Sequence, residues 1–149
     1  MNTGTAPTSK ETITTDWLTL ALSRNYPGTV VTSVHFGTEI YGTGVKFRLL
    51  LNYNREGHHH RLPPTMWIKG PFHEHSKNIR AAFEREVLFF RDISPQLKIR
   101  SPKAYFADNG VVLIEDLLAS NASFGDPLRP LSAAMVRDLL EMQARYHAL

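Results

Sequence analysis

The stretch Thr65-Met66-Trp67-Ile68-Lys69-Gly70 places the strictest condition on how this chain can fold. Its aromatic and β-branched residues suit a strand with a buried face, yet a lysine closes it. An ammonium group at the end of an apolar strand must either snorkel to water or meet an opposite charge. A carboxylate that meets it has to come from another element.

The helix expected over residues 76–93, SKNIRAAFEREVLFFRDI, offers one. At about 100° per residue, Ile79, Phe83, Val87, Phe90 and Ile93 form its apolar face. Glu86 falls within that face, whereas Glu84 falls on the solvent side. Two buried charges of opposite sign relieve each other's cost. Two readings of a Lys69–Glu86 pair stand side by side: a structural ion pair, or a cation held ready for an anion.

The other elements follow from patterning. Residues 1–13 read as a mobile tail. A helix begins near Asp16, taken as its N-cap, runs through WLTLALSR and stops at Asn25-Tyr26-Pro27-Gly28. TVVTSVHF (29–36) is β-branched and strand-like. Val45, Phe47, Leu49, Leu51 and Tyr53 alternate with Lys46, Arg48 and Asn52, the signature of a half-buried strand. GTEIYGTG (37–44) is the loop between them, carrying Gly37, Gly42 and Gly44.

NREGHHHRLPP reads as a polar loop, with Pro63 and Pro64 leading into a strand at 65–69. KAYFADNGVVLIEDL is a hairpin, because Asp108-Asn109-Gly110 carries the Asn-Gly turn signal between two apolar runs. SNASFGDPLRP is a loop. A last amphipathic helix starts after Ser132, its N-cap, with Leu131 as a staple. Met135, Leu139, Met142 and Tyr146 keep its period, and no C-cap precedes Leu149. Antiparallel strands with segregated helices make this an α+β chain: about five strands, with a helix inserted after the third.

Composition narrows the function classes. The 149 residues, 42% hydrophobic and 21% charged, are the makings of one globular core. Seventeen basic against fourteen acidic residues leave +3, which suits an anionic ligand, but no Lys/Arg block of the nucleic-acid type occurs. No apolar run approaches the ~20 residues of a membrane span, and MNTGTAPTSKETITT lacks a signal peptide's apolar stretch. No nucleic-acid or membrane partner is expected. The absence of cysteine excludes disulfides and thiolate metal sites and fits a cytoplasmic protein. His58-His59-His60, with His73 and His75, are the rival signal, since imidazoles bind Zn²⁺ or Ni²⁺. Side chains splayed in a polar loop make a poor ligand set, and no native metal site is expected.

A lysine on the third strand, paired with a glutamate on the helix after it, is the arrangement by which kinases hold ATP phosphates. With LPPTMWIKG, FEREVLFFRDI, SPKAYFADNGVVLIEDL and LSAAMVRDLLEMQARYHA, the chain resembles the kinase-like phosphotransferases. More narrowly, it is similar to the ecdysteroid-kinase-like and aminoglycoside/choline-kinase-type proteins. The resemblance covers residue 13 onward and implies a kinase-like N-terminal lobe over 14–118. Residues 119–149 would be a linker and the start of an incomplete C-terminal lobe.

The resemblance also implies roles. Lys69 would contact the α- and β-phosphates of ATP and Glu86 would orient it. Gly42, Thr43 and Gly44 would cover the nucleotide, and Glu115, Asp116 and Leu117 would form the hinge that receives adenine. Trp67 would either pack near the adenine or fill core. The intact enzyme would transfer the γ-phosphate of ATP, with Mg²⁺, to a hydroxyl of a small-molecule acceptor. The chain departs from the family pattern after the hinge: Asp126, in a Gly-Pro loop, and Asp138, on a helix, sit in no catalytic or metal-binding motif. No catalytic residue is therefore expected here, nor the Mg²⁺ ligands, which would belong to a lobe absent from these residues. The chain would be a fragment, a truncated product or a lobe completed by another polypeptide. The alternative is a non-catalytic, pseudokinase-like nucleotide-binding or interaction module. In either case self-association through apolar surface on the last helix is expected.

Overall fold

In a computed structural model, residues 5–42, 44–126 and 128–148 are described, the side chains of His75 and Lys77 excepted. Among the described residues the chain is α+β, with four α-helices and one five-stranded antiparallel sheet. Helix α1 (Thr15–Ser23) precedes β1 (Val31–Tyr41) and β2 (Val45–Tyr53). A one-turn helix α2 (Arg55–His59) leads to β3 (Thr65–Gly70), and α3 (Arg80–Leu88) follows. Strands β4 (Ala104–Asp108) and β5 (Val111–Glu115) form the second hairpin, and α4 (Ala133–His147) comes last. The strand order is β1-β2-β3-β5-β4. No helix among the described residues is long and apolar enough to cross a membrane.

The sheet has two unlike faces, because side chains alternate along each strand. On one, Val45, Phe47, Leu49, Leu51 and Tyr53 of β2 join Met66, Ile68, Val111 and Leu113. Trp17, Leu18, Ala21 and Leu22 of α1 belong to the same buried cluster. On the other face α3 covers only part of the sheet: Val87 and Phe90 pack with Val112 of β5, against Ala104, Ala107 and Ile114. The β2–β3 part of that face is lined by Lys46, Arg48, Trp67 and Lys69, all half-buried.

The β4–β5 turn has its expected form. Asn109 and Gly110 adopt φ values of 51° and 75°, the left-handed pair of a two-residue hairpin turn. Ser132 caps α4, its hydroxyl accepting the Met135 N–H at 3.2 Å.

Five expectations need correction. Thr14, not Asp16, caps α1, its hydroxyl accepting the Trp17 N–H at 3.2 Å; Asp16 lies in the first turn, where its charge suits the helix dipole. Of the tail, residues 5–13 pack on the domain: Ile13 is in the main core and Lys10 pairs with Glu39. A lone isoleucine among polar residues carries no period to read. Strand β1 runs on to Tyr41, because pairing resumes at Glu39↔Phe47 after an irregularity that absorbs Gly37 and Thr38. The expected loop 37–44 is thereby shortened, since residues 37–41 belong to β1. NREGHHH is not all loop: Asn54 accepts the Gly57 N–H at 3.0 Å and starts α2, a turn too short to show periodicity.

The expected helix 76–93 is composite. Glu74–Ile79 is 3₁₀, α3 follows, and Phe89–Ile93 is a π-turn. The wider π-turn breaks the 3.6-residue wheel. Phe83, Val87 and Phe90 are buried as expected, but Ile79 is only half-buried and Ile93, the last residue of the turn, is exposed.

Candidate functional site

Lys69 and Glu86 meet. The Lys69 ammonium lies 2.9 Å from Oε1 and 2.7 Å from Oε2 of Glu86, so both carboxylate oxygens hold it. The two side chains keep 29% and 26% exposure, so the pair is partly hydrated. A pair so placed adds on the order of 1 kcal/mol or less to stability, and the ammonium keeps an open side. Glu84 instead faces Arg80 at 3.6 Å on the outer surface of α3.

Register brings a second lysine into the site. Lys46 is the cross-strand partner of Lys69, and Arg48 is the partner of Trp67. All four lie on the face that α3 covers only in part, with Lys69 where Glu86 of α3 reaches it. The sequence pattern put Lys46 and Arg48 on the polar side of their strand, but pairing register is not visible in a single strand's alternation. Strand patterning therefore could not show that this polar side is the lysine side of β3.

On this face lies a buried polar knot. Asp116 is 2% exposed, accepting from Arg48 Nε at 2.7 Å and from Trp67 Nε1 at 3.2 Å. Burial works to raise the Asp116 pKa, but the neighbouring Arg48, Thr65 and Trp67 side chains outweigh it and hold the carboxyl below its ordinary value. The indole of Trp67 is thereby fixed in plane. It forms one wall of a cavity of about 310 Å³, lined also by Ile40, Lys46, Ile114, Glu115, Leu117 and Phe124. That volume is at the lower end for small-molecule pockets, and the lining is mostly apolar with a cation at its rim.

Glu115 is braced from outside. Arg100 donates to both its oxygens at 2.9 and 2.7 Å, and Ser120 donates at 2.6 Å. The Arg100 guanidinium, chiefly, brings the Glu115 pKa down to about 2 against the opposing effect of burial. Leu117 opens a turn in which the Ala119 N–H bonds Asp116 O at 3.0 Å and the Ala122 N–H bonds Leu117 O at 2.9 Å. The acidic pair thus braces the segment: Glu115 also accepts the Lys103 N–H at 3.1 Å, and Asp116 holds the Arg48 and Trp67 side chains.

Of the glycine loop, Gly42 donates to Gly44 O at 3.1 Å, closing the β1–β2 turn. Thr43 lies outside the described residues. Gly44 has a packing reason: a Cβ there would stand 2.6 Å from the ring of Phe83 on α3. The loop is thereby seated against the helix that carries Glu86. Asp126 and Asp138 are paired with Arg129 and Arg137 at 3.4 and 3.9 Å.

The histidines of residues 58–60 make separate contacts, apart from the edge-on approach of the His59 and His60 rings at 6.1 Å. His58 packs edge-on against Tyr53, and His60 Nε2 lies 3.0 Å from Pro27 O. Among the described residues no group of three or more His, Cys, Asp or Glu side chains gathers to hold a metal ion.

Comparison of the chain with protein-family models, with curated proteins and with solved structures finds no match in any of the three. A functional reading therefore stands on the geometry alone.

Proposed function

We propose that this chain is the ATP-binding lobe of a kinase-like small-molecule phosphotransferase. One observation carries the reading: a third-strand lysine, gripped by both oxygens of a glutamate on the next helix, stands beside an apolar, tryptophan-walled cavity. A lysine held this way is a fixed positive charge for phosphate, and a flat apolar slot suits a purine base. In this reading Lys69 contacts phosphate and Glu86 aims it. Gly42 and Gly44 lie over the nucleotide, the segment Glu115–Leu117 meets the base, and the pinned indole of Trp67 stacks on it.

The residues fit a nucleotide better than they fit a metal. Glu86, Glu115 and Asp116 are each engaged by a basic side chain, and no ligand cluster gathers among the described residues. Mg²⁺ would arrive on the phosphates. No general base is assigned, so these residues bind nucleotide without turning it over, and the acceptor hydroxyl is left unassigned. A second reading, a non-catalytic nucleotide-binding or interaction module, is favoured by the exposed apolar residues of α4.

Calorimetric titration of Mg·ATP into the chain and into Lys69→Ala tests the proposal. Saturable binding, weakened about tenfold or more in the variant, is the expected outcome. Equal binding by both proteins would remove the phosphate role of Lys69, and no binding by the folded wild type would end the nucleotide reading.

A further inference from the structure

We propose that Lys46 is a second anion-binding cation of this site, and that Lys46 and Lys69 together take two successive phosphates of a diphosphate-class ligand. The inference rests on the nucleotide reading only for what lies beyond the phosphates.

Lys46 and Lys69 are directly opposed on β2 and β3. Like charges at such positions, with Cβ atoms about 5 Å apart, destabilise a sheet unless something anionic lies between them. Glu86 answers the charge of Lys69 and, among the described residues, leaves that of Lys46 without a partner. Lys69 is matched by Glu86, Arg48 by Asp116 and Arg100 by Glu115. Among the described residues Lys46 makes no ion pair, and its nearest aromatic partner is the Trp67 ring, 5.9 Å from the ammonium. A tryptophan face attracts a cation but does not neutralise it.

Lys46 thereby has a function that Lys69 cannot perform. A Lys69–Glu86 pair is net neutral, so it orients a phosphate without drawing one in. Lys46 supplies the net positive charge. It also borders the cavity, with Lys69 standing across the strand pair from it. A ligand whose flat portion enters the cavity meets Lys46 with the nearer phosphate and Lys69 with the next. Long, unbranched lysine stems let each ammonium reach one phosphate as a point charge.

The test is titration of AMP, ADP and inorganic pyrophosphate into the full chain, followed by calorimetry and by tryptophan fluorescence. The same titrations use Lys46→Met, Lys46→Arg and Lys69→Met, each checked by circular dichroism and melting. ADP should bind wild type more tightly than AMP. Lys46→Met should weaken both ADP and pyrophosphate about tenfold or more, with Lys46→Arg keeping most of the affinity. Lys69→Met should weaken ADP and leave AMP nearly unchanged. Should Lys46→Met misfold, the comparison falls to Lys46→Gln, which keeps a polar stem.

ADP and pyrophosphate binding within twofold of wild type in the folded Lys46 variant would overturn this inference and leave the nucleotide reading intact. Lys46-dependent pyrophosphate binding, with ADP no tighter, would support the inference and remove the nucleotide. No binding of either ligand by wild type would end both.

Discussion

Asp116 is the residue on which the site's geometry turns. It is buried, and its two oxygens fix Arg48 and the Trp67 indole at once. Replacing it by alanine leaves a guanidinium and an indole N–H without their acceptor. We expect Asp116→Ala to lower stability by about 2–3 kcal/mol in urea unfolding. The Arg48 side chain is 30% exposed, and the water it can reach keeps the loss toward the lower figure. Freed of its hydrogen bond, Trp67 should also show red-shifted, broadened emission. Unchanged stability and emission would mean that the knot does not hold the cavity wall. Nothing in the dipeptide Glu115-Asp116 distinguishes the two carboxylates. Their difference arises because Asp116 falls on the sheet face between Arg48 and Trp67, while Glu115 meets Arg100 nearer the surface.

At the scale of elements, the segment after β5 carries a pH dependence. The Glu115 pKa is about 2, against roughly 4.3 for an unperturbed glutamate. A depressed acid stabilises the fold fully above its unfolded pKa and loses that contribution as pH falls through its folded one. Stability should therefore decline between about pH 4.3 and pH 2. Glu115→Gln should flatten the urea midpoint against pH in that window without abolishing the slope, since Asp116 is shifted the same way. An unaltered slope would sever Glu115 from the bracing role. The hairpin before this segment was legible from Asn109-Gly110 alone, because its turn chemistry is local. The π-turn at Phe89–Ile93 was not, because the wheel assumes one period throughout and the break is set by how α3 packs on β4 and β5.

At the scale of the molecule, α4 stands apart from the rest. None of its described side chains is buried, and its one ring contact with the domain is Tyr146 to Phe89 at 6.4 Å. Met135, Leu139, Leu140 and Met142 are exposed along it. Removing residues 132–149 should change the stability of the sheet domain by less than about 1 kcal/mol, read from urea unfolding. A larger loss would show that α4 belongs to the cooperative unit. The sheet divides function from stability: the α1 face holds most of the core, and the partly covered β2–β3 face holds Lys46, Lys69 and the cavity.

The amino-acid sequence by itself determined what short-range physics settles. It set the α+β order of the elements apart from the short α2, the apolar alternation of β2, the Asn-Gly turn and the Ser132 cap. It also placed Glu86 on the α3 face from which it reaches Lys69. Each follows from steric preference or from a period within a few residues. Tertiary structure alone decided the strand register, and with it the pairing of Lys46 to Lys69 and of Arg48 to Trp67. It also decided that Asp116 would be buried between them. Register is the outcome of many side chains packing at once across elements far apart in the chain, and no one strand's pattern contains it.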